Sequence, residues 1–165
     1  MKFADLASGS AIFIDANTFV YAFAPHAQFG PTCSELLQRI EQHDLQGFTS
    51  THVLSDVAHR LMTLEACATF AWPYAGIARQ LLRHPAEVQK LFRFRVAIEA
   101  ILSIGIQDIP VLPGHIVTAA TISQNHGLLS NDSLIVALMQ TRGLIQIASF
   151  DTDFDRIPGI QRFES

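Results

Sequence analysis

Four aspartates stand at positions where a carboxylate could do chemistry. Asp15 follows the buried-looking run Ile12, Phe13 and Ile14, and apolar residues resume at Phe19, Val20 and Tyr21. An ionised carboxylate between two hydrophobic runs is expensive to bury unless something compensates it. Asp151 comes one residue after another apolar segment, "LIQIAS". Asp56 falls in the opening turns of a helical pattern after "GFTS", and Asp132 opens a second one, "NDSLIVALMQTRG". Should the four converge, lysine could hardly neutralise them, because the chain has only Lys2 and Lys90. A metal ion is the obvious counter-charge. Oxygen donors without His/Cys ligand spacing select Mg²⁺ or Mn²⁺ over Zn²⁺. One or two such ions can hold a water as nucleophile and stabilise both oxygens of a phosphoryl displacement.

Plainer readings exist for each acid. Asp132 is also explained as a helix N-cap, worth ~1 kcal/mol. Asp56 is also explained as the partner of Arg60 in an i,i+4 pair, worth about 0.2–0.5 kcal/mol. Asp153 and Asp155 are also explained as solvated loop acids, the reading favoured for Asp155. Asn17 is either a turn former or a group that orients Asp15 or a ligand. His52 and His59 flank Asp56, but neither is expected to act as a base.

The elements that must position these residues follow from periodicity. Residues 11 to 14 read as a short buried strand. "PTCSELLQRIEQHDLQG" puts Cys33, Leu36, Leu37 and Ile40 on one helical face, with Pro31 near its start and Gly47 just past its end. "GFTS" reads as a brief strand. "THVLSDVAHRLMTL" places Val53, Leu54, Val57, Leu61 and Leu64 at helical spacing. A short helix is expected from Gly76 to His84, then a longer one over residues 86 to 104. "IQDIPVLP" is extended, since its prolines bar a helix. "HIVTAATISQNHG" reads as a helix closed by Gly127, and "LIQIAS" as a buried strand. "FDTDFDRIPGI" reads as a loop or single turn. Strands alternating with helices imply a three-layer α/β/α arrangement around a central parallel sheet. In such sheets sites form outside the carboxyl ends of the strands, which is where Asp15 and Asp151 stand.

The 165 residues, 49% of them hydrophobic, suit one domain with a substantial core. A net charge of −4 argues against non-specific coating of nucleic acid. The positive charge is concentrated instead. Arg79, Arg83, Lys90, Arg93 and Arg95 lie between residues 71 and 100, against Glu87 and Glu99. The uncharged run "ACATFAWPYAGIA" from Ala66 holds Pro73 and is shorter than the roughly 18 residues a membrane span requires. Asp5 interrupts what would be the apolar part of a signal peptide. A soluble, cytoplasmic protein without a membrane association is expected. Cys33 and Cys67 read as buried reduced thiols.

Four segments, in order, resemble the motifs of the PIN-domain ribonucleases, in particular the VapC-type toxins of type II toxin–antitoxin systems. "FIDANTFVYAF" resembles the opening motif, "TSTHVLSDVAHRLM" the second, "LLSNDSLIVALM" the third and "ASFDTDFDRIPGI" the last. The resemblance implies one PIN-like domain over residues 1–165, with a helical insertion at about residues 66–105. It implies that Asp15, Asp132 and Asp151 bind Mg²⁺ or Mn²⁺, with Asp56 in the remaining acidic place. Asn17 becomes the polar helper, and Asp153 a supporting or alternative ligand. The second motif usually carries Glu. Asp56 is shorter, so its metal contact is expected to run through water; Glu65, nine residues further on, fits poorly. The implied activity is endonucleolytic cleavage of RNA by an attacking water, leaving a 5′-phosphate and a 3′-hydroxyl. Implied partners are an RNA substrate, a cognate antitoxin and a second copy of the chain. Arg79, Arg83, Arg93 and Arg95 are nominated for RNA phosphates, which position a substrate without reading its sequence. Trp72, Pro73 and Tyr74 are read either as partner surface or as core.

Two other readings follow. A PIN-like chain with a weak acid set can be an inactive binding or scaffold domain. "DANT" also resembles the nucleophile loop of haloacid-dehalogenase-like phosphatases. That chemistry wants a second Asp where Asn17 stands, and a Lys beside the phosphate.

Overall fold

A computed structural model describes all residues, 1–165. Five parallel strands form one sheet: β1 (Ala11–Ile14), β2 (Gln46–Ser50), β3 (Gln107–Ile109), β4 (Gln146–Ala148) and β5 (Gln161–Phe163), in the order β3-β2-β1-β4-β5. β1 is central, with Phe13 opposite Phe48 of β2 on one side and Ile147 of β4 on the other. A parallel strand covered on both faces reads as an unbroken apolar run. Ile12, Phe13 and Ile14 accordingly have no exposed surface.

The helices are α1 (Ala16–Phe23), α2 (Gly30–Glu41), α3 (Thr51–Phe70), α4 (Ile77–Arg83), α5 (Pro85–Val88), α6 (Arg93–Ser103), α7 (Pro113–His126) and α8 (Ser130–Thr141). α1 packs on α2 and α3, α3 packs on α6, and α7 packs on α8. Right-handed crossovers put α1–α6 on one face of the sheet and α7–α8 on the other. This is the expected three-layer α/β/α architecture. Local signals fix several ends. The Ser50 hydroxyl accepts from the Val53 N–H at 3.2 Å and caps α3. Pro113 starts α7, and Gly127, at φ 68°, ends it. No helix is long and apolar enough to cross a membrane.

Four local expectations are corrected. Residues 86–104 are not one helix: the chain breaks between Val88 and Arg93. The Glu65 carboxylate, from the C-terminal half of α3, accepts the N–H groups of Phe92, Arg93 and Phe94, each at 3.0 Å, and starts α6 there. Phe92 and Leu102 are exposed. Gly47 does not end α2, which stops at Glu41. It lies inside β2, where a Cβ would come within 2.8 Å of Ile40. Asp132 is not an N-cap: Leu129 holds that position and Asp132 lies in the first turn of α8. Finally, β5 was not anticipated at all. Its three residues are too few to show an alternation.

The core comprises the sheet and its flanking helices. A smaller cluster of Ala66, Ile77, Leu81 and Leu91 lies apart, under the helices after α3. Trp72 packs there against Phe70 and His84, at ring distances of 4.8 and 5.2 Å, while Tyr74 is exposed. Both cysteines are free, and burial pushes the Cys33 thiol up to about 12.

Candidate active site

The strand order reverses direction between β1 and β4, and ligands in open α/β sheets bind outside the carboxyl ends at such a point. A cleft of about 170 Å³ opens there. Asp15, Asp56, Asp132 and Asp151 all line it, together with Asn17, His52, Arg60 and Asn131. Four elements deliver the four acids. Asp15 caps α1 directly after β1. Asp56 projects from the second turn of α3, and Asp132 from the first turn of α8. Asp151 follows β4 and caps a short 3-10 turn, Thr152–Arg156.

Asp15 is the most constrained. One carboxylate oxygen accepts from Ala16 N–H at 2.6 Å and the other from the Ser149 hydroxyl at 2.7 Å. Burial holds its carboxyl above the ordinary value, and the Asp151 charge acts the same way. The Ser149 and Ala16 bonds and the Arg60 charge pull in the opposite direction. Ser149 also accepts from the Asp151 N–H at 3.1 Å, so one hydroxyl ties both acids together. The carboxylate of Asp151 accepts from the Asp153 N–H at 2.8 Å. Phe150 anchors this corner between Phe29 and Tyr21, with both ring distances 4.9 Å. Asp132 is pushed up to about 6, first by burial and then by the charges of Asp151, Asp15 and Asp153. Carboxylates that raise one another's pKa in this way are close enough to repel.

Several residues singled out in the sequence lie outside the cleft. Asp153 turns its carboxylate to Arg156 at 2.5 Å and does not line the cleft; its backbone N–H is what reaches Asp151. Asp155 is held by Arg162, which keeps its carboxyl below the usual range. Arg79, Arg83, Arg93 and Arg95 are exposed and none lines the cleft; Arg95 pairs with Glu99 at 3.3 Å. Glu65 is occupied at the start of α6. His52 does line the cleft, because it precedes Asp56 by one helical turn.

Three contributors were missed. Arg60 supplies a positive charge inside the cleft, so the acids are not without a protein cation. Its guanidinium donates to Asn17 Oδ1 at 2.7 Å and lies 3.8 Å from the Asp56 carboxylate. The i,i+4 spacing from Asp56 was the available signal. Ser149 and Asn131 gave none, as small polar residues beside a strand end or a helix start are ordinary.

The donor set fits a hard divalent cation. The four acids offer oxygen, and His52 is the only nitrogen ligand type in the lining. No three acid, His or Cys side chains are grouped tightly enough to enclose an ion by themselves. No lysine lines the cleft, so the partner that phospho-aspartate chemistry wants is missing.

The sequence model of the PIN domain matches residues 12–160. No curated protein matches. Among solved structures, VapBC2 from Rickettsia felis, bound to a DNA fragment from their promoter, is similar with a TM-score of 0.59 and 15% identity over 93% of this chain and 98% of that one. VapC20 of Mycobacterium tuberculosis, a Sarcin-Ricin loop cleaving toxin, is similar with a TM-score of 0.58 and 21% identity over 87% and 92% of the two chains.

Proposed function

The chain belongs to the PIN domain family, and from that premise we propose that it is a Mg²⁺- or Mn²⁺-dependent endoribonuclease, a VapC-type toxin. The observation that carries this reading is the single cleft lined by Asp15, Asp56, Asp132 and Asp151 at the reversal point of the sheet. Asp15, Asp132 and Asp151 would hold the ion, with Asp56 acting through water. Bound there, the ion would supply an activated water and neutralise charge on the phosphoryl oxygens.

The chain's own residues do the rest. Ser149 fixes Asp15 and, through a backbone bond, Asp151. Asp15, with both oxygens already bonded, is a ligand of set direction. Asp132, on the first turn of α8, faces those two acids across the cleft. Holding acids in place before substrate arrives removes reorganisation from the reaction itself. RNA is the substrate class favoured, since one similar structure is a loop-cleaving toxin. A VapBC assembly among the similar structures supports an antitoxin as partner. Exposed Ile116 and Val117 on α7 suit protein contacts, including a second copy of this chain.

The inactive-scaffold reading draws on one observation: Asp56 is among the more exposed of the acids, its side chain 44% accessible. Both readings are separated by incubating the protein with labelled structured RNAs in Mg²⁺ or Mn²⁺ beside Asp15→Asn. Cleavage is expected in the native protein and should fall about 100-fold or more in the variant, a loss of ~3 kcal/mol. Cleavage that persists in Asp15→Asn, or is absent with every metal, removes the nuclease.

A further inference from the structure

Most arginines with several hydrogen bonds in this fold are structural. Arg162 bonds Asp155, Glu164 and the Ser149 carbonyl; Arg39 bonds Asp44 and the carbonyls of Phe3 and Leu6. Arg60 differs. Its guanidinium makes one hydrogen bond, to Asn17 Oδ1. The Asp56 carboxylate, at 3.8 Å, lies beyond hydrogen-bond distance. Guanidinium carries five N–H donors, so most of them are free, and the side chain is 30% accessible in the cleft wall.

The same bond fixes Asn17. Arginine can only donate, so the amide atom facing it must be the oxygen. The Asn17 NH₂ is therefore left as a donor, and it has no protein partner. Arg60 and Asn17 thus form a coupled pair of donors on the wall of an otherwise acidic cleft. An RNA phosphate entering among four carboxylates meets repulsion. A guanidinium fork is the side chain best shaped to hold such a phosphate, because it binds two oxygens at once.

We propose that Arg60 and Asn17 bind the phosphate of the RNA strand beside the metal ligands, with Arg60 also orienting the Asn17 amide. This rests on the nuclease reading above, and goes beyond it by assigning the substrate-holding groups. Those groups lie inside the cleft and not on the exposed arginines of α4 and α6.

The test reads binding apart from turnover. A short fluorescein-labelled, phosphorothioate-linked oligouridylate is titrated by anisotropy in Ca²⁺. Arg60→Gln should weaken binding about tenfold or more. Arg60→Lys should recover part of it, keeping the charge but losing the fork, and Asn17→Ala should show a smaller loss. The rise in Tm caused by Mn²⁺ should survive in all three variants. Binding by Arg60→Gln as tight as native, with the Mn²⁺ rise intact, overturns this role and leaves the nuclease reading standing. Loss of both binding and the Mn²⁺ rise in Arg60→Gln and Arg60→Lys makes Arg60 a structural support, and also overturns it. A native protein that neither binds the oligonucleotide nor responds to Mn²⁺ removes both readings together.

Discussion

Asp132 is the residue through which pH should act most visibly. Its pKa rises from 3.8 to about 6 on folding, by burial and then by its acidic neighbours. The folded state therefore holds this proton more tightly than the unfolded chain does. The stabilisation is complete below about pH 4 and is lost as pH rises through about 6. Asp15 shifts in the same direction and adds to the slope. Metal-free protein in EDTA should melt lower at pH 7 than at pH 5, and Asp132→Asn should flatten that difference. Equal slopes in the two proteins would show that Asp132 does not feel its neighbours. Protons and metal compete for the same oxygens, so Mn²⁺ affinity should rise over the same pH window.

At the scale of elements, the helix after α5 depends on a residue far away in sequence. Glu65 is 8% exposed and accepts three N–H groups at the start of α6. Glu65→Ala leaves those donors without their acceptor and should cost about 1–3 kcal/mol, read from urea unfolding. Glu65→Gln keeps one accepting oxygen and should fall between the two. An unchanged urea midpoint in Glu65→Ala would mean that α6 starts by its own propensity. The same contact explains why the break at residues 89–92 was illegible. Apolar spacing from Val88 to Leu102 is continuous, and no periodicity registers a carboxylate arriving from α3. By contrast the end of α7 was legible, because Gly127 acts on its own backbone, while Pro113, read as extended, starts the helix.

Across the whole molecule, the sheet topology gathers charges that lie 136 residues apart at the extremes, Asp15 and Asp151. Such a gathering costs stability, and a bound cation would relieve it. A ligand at about 100 times its Kd stabilises the native state by ~2.7 kcal/mol. For a chain of this size that corresponds to a rise of about 5–10 °C in Tm. Saturating Mn²⁺ should produce such a rise, EDTA should reverse it, and Asp151→Asn should diminish it. A melting curve indifferent to Mn²⁺ would separate the acidic cleft from any metal chemistry.

The sequence by itself determined the α/β alternation, the buried central strand ending at Asp15 and the placing of four acids after strands or at helix starts. These follow from local causes: apolar period, prolines and glycines, and the cost of a carboxylate beside an apolar strand. Only the tertiary structure decided that the four acids share one cleft with Arg60, that Ser149 ties two of them, that Asp153 faces Arg156 and that Glu65 serves α6. Those outcomes depend on contacts between elements distant in the chain. Local spacing carries no record of them, because a side chain's partner is set by where the sheet order brings its element.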